Sequence, residues 1–324
     1  MERANILLTS AGRRGVLVKL FQRELRELFP QAKVFATDLR PKRSSACQLA
    51  DGYFETPRVT DPGYIDRLGE ICQAAGVRVI VPTIDTELLV LAEAREQLAE
   101  RGVAAVVADP ALVRDCRDKR RTHELFRRHG LLTAQERDPR AAETDYPLFA
   151  KPYDGSCSVN IHLLASRADV TPALLADPKL MFLEYLAPEL HDEFTVDIYY
   201  DRLGNLRCLV PRQRLETRAG EVSKGRTVWR PEFDSLADCL RHIEGARGCL
   251  TVQVFVSRDD APLIYGIEIN PRFGGGYPLT DGAGARYVRW LLLEYLLNEP
   301  VVDFDQWERN LTMLRYDDHV LVRD

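Results

Sequence analysis

At 324 residues, with 45% hydrophobic and 29% charged residues, the chain is long enough for two or three compact units with their own cores. A net charge of −5, from 44 basic and 49 acidic residues, argues against a general nucleic-acid binder, and no apolar run approaches the roughly 20 residues that cross a bilayer. Seven cysteines without a C-x-x-C pair and six histidines without H-x-x-x-H spacing give no disulfide framework and no zinc site, so reduced thiols in a cytoplasm are expected. The opening M-E-R-A-N-I-L-L-T has too short an apolar core for a signal peptide and leads straight into a strand.

Asn5–Thr9 predicts a buried strand, S-A-G-R-R-G at 10–15 a turn, and Val16–Phe29 an amphipathic helix. Lys33–Thr37 is the next strand and ends in Asp38. Tyr53–Thr56 with the helix Tyr64–Ala75, Val77–Pro82 with the helix Asp85–Arg101, and the strand Val103–Val107 continue the alternation. Such alternation implies a doubly wound parallel sheet whose ligands collect at the strand C-termini, here 10–15, 38–43 and 82–87. The first of these approximates G-x-G-x-x-G, but Ser10 replaces the leading glycine; Asp38 lies at a fitting distance to meet a ribose. A nicotinamide-dependent oxidoreductase is therefore one rival reading, and plain strand–turn–helix packing the simpler one. Asp85 reads first as a helix N-cap and second as a holder of a cationic substrate group.

Pro110 breaks the pattern. Two helices follow, Ala111–Cys116 and Asp118–His129, the second stopped by Gly130 and carrying Lys119 in its first turn. Tyr146–Pro152 is an apolar strand with one lysine, Lys151, and a lysine there costs desolvation unless it meets an anion. The turn at 153–158 offers small residues, Ser156 among them, and Val159–Leu164 returns as a strand. Lysine strand, small-residue turn and strand together predict a flap over phosphates, although no Walker A sequence is present. Met181–Leu186 is a further strand with one acid, Glu184. Phe194–Tyr200 and Leu206–Glu216 form a hairpin that opens at Glu193.

Arg212 and Arg214 alternate onto one face, which suits either a solvated edge strand or a clamp for carboxylate or phosphate. The loop 217–225, with Lys224, is a candidate lid. Phe233–Ala246 reads as a helix and Gly284–Leu297 as a closing one. Between them Cys249–Ser257 is a strand with a single amide, Gln253. The chain then turns into I-Y-G-I-E-I-N-P-R-F-G-G-G at 264–276, where Glu268 and Asn270 share a face opposite Gln253. A carboxylate and an amide oxygen two residues apart suit a hard cation such as Mg²⁺. Arg272 adds a fixed charge, and from Gly274 the backbone is free to approach a ligand closely.

E-I-N-P-R with its upstream glutamine strand, and F-A-K-P followed by a small-residue loop, resemble the ATP-grasp superfamily in order and spacing. The resemblance covers nearly the whole chain and is nearest to the carbamoyl-phosphate synthase large subunit and to ATP-dependent carboxylate–amine ligases. It implies an α/β chain: a doubly wound pre-ATP-grasp domain over 1–110, then a two-lobed α+β ATP-grasp domain over 111–324. The small lobe, 111–186, would carry the phosphate flap, and the large lobe, 187–324, the metal site.

The resemblance also implies roles. ATP would be held by Lys119, Lys151, Ser156, the main chain of Glu184, Tyr185 and Leu186, and Glu193, with Asp192 as the alternative for the ribose. Gln253, Glu268 and Asn270 would hold Mg²⁺, for which Mn²⁺ can substitute. Arg272 would stabilise the transferring phosphoryl group. Candidate substrate contacts are Asp85, Arg212, Arg214, Lys224 and Gly274. The implied activity is an ATP- and Mg²⁺-dependent ligase joining a carboxylate to an amine through an acyl phosphate. The partners are small-molecule substrates, with no nucleic acid or membrane, and a homodimer is admitted. A complete carbamoyl-phosphate synthase is excluded by size. The rivals are the oxidoreductase above and a non-catalytic ATP-binding module.

Overall fold

The computed structural model describes residues 4–155, 159–218 and 220–323. Five strands form the first sheet: β1 (Asn5–Thr9), β2 (Val34–Asp38), β3 (Gly52–Glu55), β4 (Val77–Pro82) and β5 (Ala104–Ala105). Their order is β3-β2-β1-β4-β5 and every pairing is parallel, as the alternation of strands with helices demands. The intervening helices are α1 (Gly15–Leu28), α2 (Ser45–Leu49), α3 (Tyr64–Ala75), α4 (Asp85–Glu93) and α5 (Arg95–Glu100). The single helix expected over 85–101 is thus two, broken at Ala94.

Helices α6 (Pro110–Arg117) and α7 (Lys119–Arg128) lead through β6 (Leu132–Thr133) into a small antiparallel sheet. That sheet contains β7 (Leu148–Pro152), β8 (His162–Leu164) and, after α8 (Pro172–Ala176), β9 (Leu180–Glu184), in the order β8-β7-β9. The third sheet is built from β10 (His191–Tyr200), β11 (Leu206–Arg218), β12 (Glu221–Thr227), β13 (Gly248–Ser257) and β14 (Ile264–Asn270). Helix α9 (Glu232–Leu240) lies between β12 and β13; α10 (Tyr277–Gly282), α11 (Tyr287–Leu292) and β15 (Thr312–Leu314) follow β14. The sheet order is β15-β12-β11-β10-β13-β14-β6, antiparallel except where β6 joins β14. The expected loop at 217–225 is a strand–turn–strand: Thr217 pairs with Val222 and Arg218 with Glu221.

Two large cores run across the first and third sheets. One joins Leu7 and Ile80 to Phe194 and Leu250; the other joins Ile6 and Val18 to Tyr199, Tyr277 and Trp307. The small sheet has only two minor clusters of its own, around Met181 and Leu183 and around Leu148 and Ala150. A charge cluster reinforces the larger junction: Glu24 on α1, fully buried, meets Arg23, Arg286 and Arg289. Among the described residues the cysteines are free, and no helix is long and apolar enough to cross a membrane.

Candidate active site

Strand pairing assembles one polar face on the third sheet. Strand β13 sets Gln253 opposite Glu268 and Thr251 opposite Asn270. Strand β10 sets Thr195 opposite both Gln253 and Arg212, with Glu193 two residues away on the same side. The pairing shifts register between Gln253 and Val254 and leaves Ile267 unpaired, a bulge of the kind that re-aims side chains beside binding sites. Gln253 Nε2 donates to Glu193 Oε1, and Asn270 Nδ2 donates to Glu268 Oε1 at 3.0 Å. Burial pushes the Glu193 carboxyl up, while Arg214, whose Nε lies 3.1 Å from Glu193, holds it back.

The Glu268 carboxylate and the amide oxygens of Gln253 and Asn270, side by side, are hard donors. They fit Mg²⁺ provided that ligand oxygens complete the shell, since no group of three His, Cys, Asp or Glu side chains suited to a metal occurs among the described residues.

Two lysines face this row. Helix α7 packs so close to β14 that a Cβ on Gly266 would lie 2.5 Å from the Phe126 ring. This approach brings Lys119 Nζ to 4.0 Å from Glu268 Oε2, and Lys119 also donates to the carbonyl of Gly155. Lys151, on β7, is 8% exposed, and its amine is pushed down to about 8 by burial and by Lys119, with Glu268 opposing. His123, one turn after Lys119, is buried beside them. Burial and then Lys151 push its imidazole down to about 3, so it is neutral, and its Nε2 has no hydrogen-bond partner among the described residues. The four-residue spacing of His123 from Lys119 is the sequence signal that places both on one helix face.

Ser156 lies outside the described residues. Glu184 ends β9, where its amide donates to Gln135 O and its carboxylate accepts from Gln135 N, so the chain leaves the strand at Tyr185 and Leu186. Tyr185 stacks on Phe149, and Leu186 packs against the Met181 cluster. Asp192 is bound by Arg230 and Arg258.

Arg212 departs from the expected open strand face. It is 1% exposed and donates twice to Asp197, at 2.8 and 2.9 Å; Asp197 also accepts from Thr251 and Thr280. Its remaining nitrogen lies 2.0 Å from where a Cβ on Gly276 would stand, so it fills the space beneath the glycine loop. Gly274 abuts Thr251 in the same way. Lys224 is half-exposed and paired with Glu216. Asp85 does not cap its helix: it is the first residue of α4, Ile84 stands at the cap position, and its carboxylate receives Arg272 Nη2 at 2.6 Å. Asp38 accepts from the amides of Gly12 and Arg40, which ties the carboxylate expected at a ribose into its own turn.

Two family models match this arrangement. The model for the PylC-like N-terminal domain covers residues 6–106, and the model described as ATP-grasp in the biosynthetic pathway with Ter operon covers 176–318. Residues 176–318 thus match an ATP-grasp family model. Solved structures agree on the fold. The biotin carboxylase domain of Hydrogenobacter thermophilus 2-oxoglutarate carboxylase, in complex with MgADP, ADP and bicarbonate, superposes with a TM-score of 0.74 at 17% identity, over 96% of this chain and 74% of that one. N5-carboxyaminoimidazole ribonucleotide synthetase, bound to ADP, gives 0.67 at 18% identity over 94% and 79%. L-amino acid ligase from Bacillus licheniformis gives 0.67 at 16% over 91% and 75%. A comparison with curated proteins finds no match. In this ATP-grasp fold the small sheet and the third sheet are the two lobes, and the polar row and both lysines lie between them.

Proposed function

We propose that this ATP-grasp protein is an ATP- and Mg²⁺-dependent ligase that joins a carboxylate to an amine. One observation carries the reading: the Glu193–Gln253–Glu268–Asn270 row faces Lys119 and Lys151 and continues along the chain into Arg272. Phosphoryl transfer asks for positioning and charge neutralisation rather than a covalent side chain, and this set supplies both. Lys151 and Lys119 hold phosphate oxygens, Glu193 takes the ribose, and the chain at Tyr185 and Leu186 meets the base. Glu268, Asn270 and Gln253 would hold Mg²⁺, which neutralises charge on the β and γ phosphates when bound.

Arg272 steadies the phosphoryl group while a substrate carboxylate oxygen bonds to the γ-phosphorus and the bond to the ADP oxygen breaks. The amine nitrogen then bonds to the acyl carbon, inorganic phosphate leaves, and the nitrogen gives up a proton. The likeness to carbamoyl-phosphate synthase is proposed for this acyl-phosphate step. Mn²⁺ is expected to replace Mg²⁺, the reduced thiols suit a cytoplasmic enzyme, and a homodimer is the assembly to look for, as one neighbour is described as a domain dimer.

The reading is tested by ADP release from ATP–Mg²⁺ with panels of carboxylates and amines, beside thermal shifts with ATP–Mg²⁺ and with NADPH. Stabilisation by NADPH alone would overturn it in favour of the oxidoreductase. Stabilisation by ATP–Mg²⁺ without ADP release for any pair would favour the binding module.

A further inference from the structure

The turn at 10–15 is the motif that the ATP site does not use. It holds two residues with positive φ, Ser10 at 51° and Gly12 at 51°, and ends at Arg14, the cap position of the 14-residue helix α1. It does not lie over an empty crevice. Arg14 reaches across to the glycine loop that follows Arg272: a Cβ on Gly275 would stand 3.2 Å from Arg14 Nη1 and 3.4 Å from Glu221 Oε2. Arg315 closes the other side, donating to the Gly275 carbonyl and, at 2.9 Å, to Glu221. Arg13 meets Glu221 from outside at 3.4 Å.

The charges around this loop do not balance. Asp85 is matched by Arg272 and Glu221 by Arg315. Arg14 adds a further cation: among the described residues its guanidinium makes no hydrogen bond and no close ion pair, and Glu221 and Asp85 act on it only through their charge. It stands in a crowded site, where burial and then Arg272 push it down to about 10 against the opposing charges of Glu221 and Asp85. Arg272 also keeps Nε buried and without a partner among the described residues. Arg14, partly exposed, and the partnerless Nε edge of Arg272 therefore flank one glycine loop, and the positive end of α1 adds to the field at Arg14.

We propose that Arg14 and Arg272 together bind a dicarboxylate substrate: Arg272 meets the carboxylate that is activated, and Arg14 meets a second carboxylate at the mouth of the N-terminal domain. This rests on the ligase reading and adds its substrate class. The approach of Arg14 to Gly275 makes the site a joint product of both domains, since neither the 10–15 turn nor the 274–276 loop holds both cations.

The test is calorimetric titration of the full chain, loaded with Mg²⁺ and a non-hydrolysable ATP analogue. The titrants are succinate, glutarate, adipate, L-aspartate and L-glutamate, with butyrate and L-glutamine as single-carboxylate controls. At least one dicarboxylate is expected to bind tenfold or more tightly than the controls. Arg14→Gln should remove that preference while leaving the analogue's affinity and the melting temperature unchanged, and Arg14→Lys should keep part of it. Equal affinity for mono- and dicarboxylates, binding by no dicarboxylate, or a preference that survives Arg14→Gln would each overturn the proposal. Failure of the analogue itself to bind would instead overturn the ligase reading, which separates the two.

Discussion

Arg272 Nη2 and Asp85 Oδ2 stand 2.6 Å apart although 187 residues separate them in the chain. The pair fixes the arginine from the N-terminal domain, so the direction of a group proposed to act on phosphate depends on an acid in another sheet's helix. Arg272 and Asp85 are 14% and 20% exposed, between the surface and buried regimes. Replacing Asp85 with Asn should therefore cost about 1–3 kcal/mol of stability and lower kcat more than it changes the Kd for ATP. A variant with unchanged melting and unchanged kcat would show the pair to be inert.

Glu268 carries the charge of the amide–acid–amide set. Glu268→Gln keeps the side-chain shape and its contact with Asn270, so the fold should persist. ADP formation should be lost, and Mg²⁺ should no longer tighten ATP binding. Near-normal turnover in this variant would remove the metal assignment.

Lys151 gives the site a pH signature. Its amine is pushed down to about 8 by burial and by Lys119, against Glu268, with neutral His123 beside it. Bound phosphate favours the charged form, so above pH 8 binding must take up a proton. ATP affinity is expected to hold below pH 8 and to weaken as pH rises through that value, by up to roughly tenfold per unit. Lys151→Arg should flatten the profile, because arginine stays charged. Lys151→Ala should cost ATP roughly 1.5–3 kcal/mol and leave adenosine almost unaffected. Equal losses for both would make the lysine structural.

Arg212 should behave as a core residue. Removing one partner of a buried, hydrogen-bonded pair costs about 3–5 kcal/mol, so Arg212→Met should lower the melting temperature sharply unless Asp197 is replaced as well. Gly276→Ala, which drives a methyl onto Arg212 Nη1, should show the same sign. Arg214→Lys, by contrast, should leave the melt unchanged and alter nucleotide or substrate KM. An unchanged melt for Arg212→Met would restore an open-site role for that residue.

Helix α3 and strand β4 were legible to the residue because the boundary between them is local: Gly76 takes the left-handed conformation at the helix end, and Pro82 closes the strand. The facing of Gln253 and Glu268 was legible because alternation fixes the side on which each strand residue stands. The register shift that leaves Ile267 unpaired was not, since a bulge has no local signature there. Asp85 was read as a cap, the commonest role of an acid at a helix start; Arg272, its actual partner, lies in a distant strand loop. Arg212 was read as open because alternation gives a face but not what covers it, and the cover is α10 and the 274–276 loop. Arg14 was passed over for the same reason. The 217–225 stretch was read as a loop from its polarity, yet β11 runs on to Arg218 and β12 begins at Glu221, the two paired with each other.

The uneven distribution of the cores decides which part of the molecule does the breathing. The first and third sheets share two large apolar interiors and the Glu24 charge cluster, whereas the small sheet rests on two clusters of a few side chains each. Stiffness is thus concentrated on the side bearing Glu268, Asn270 and Arg272, and compliance on the side bearing Lys151. Nucleotide would enter past a yielding jaw and be registered against a fixed anvil. On the proposed assignment, the Lys151 side would be able to loosen its hold on phosphate without disturbing the alignment of Arg272 with Asp85.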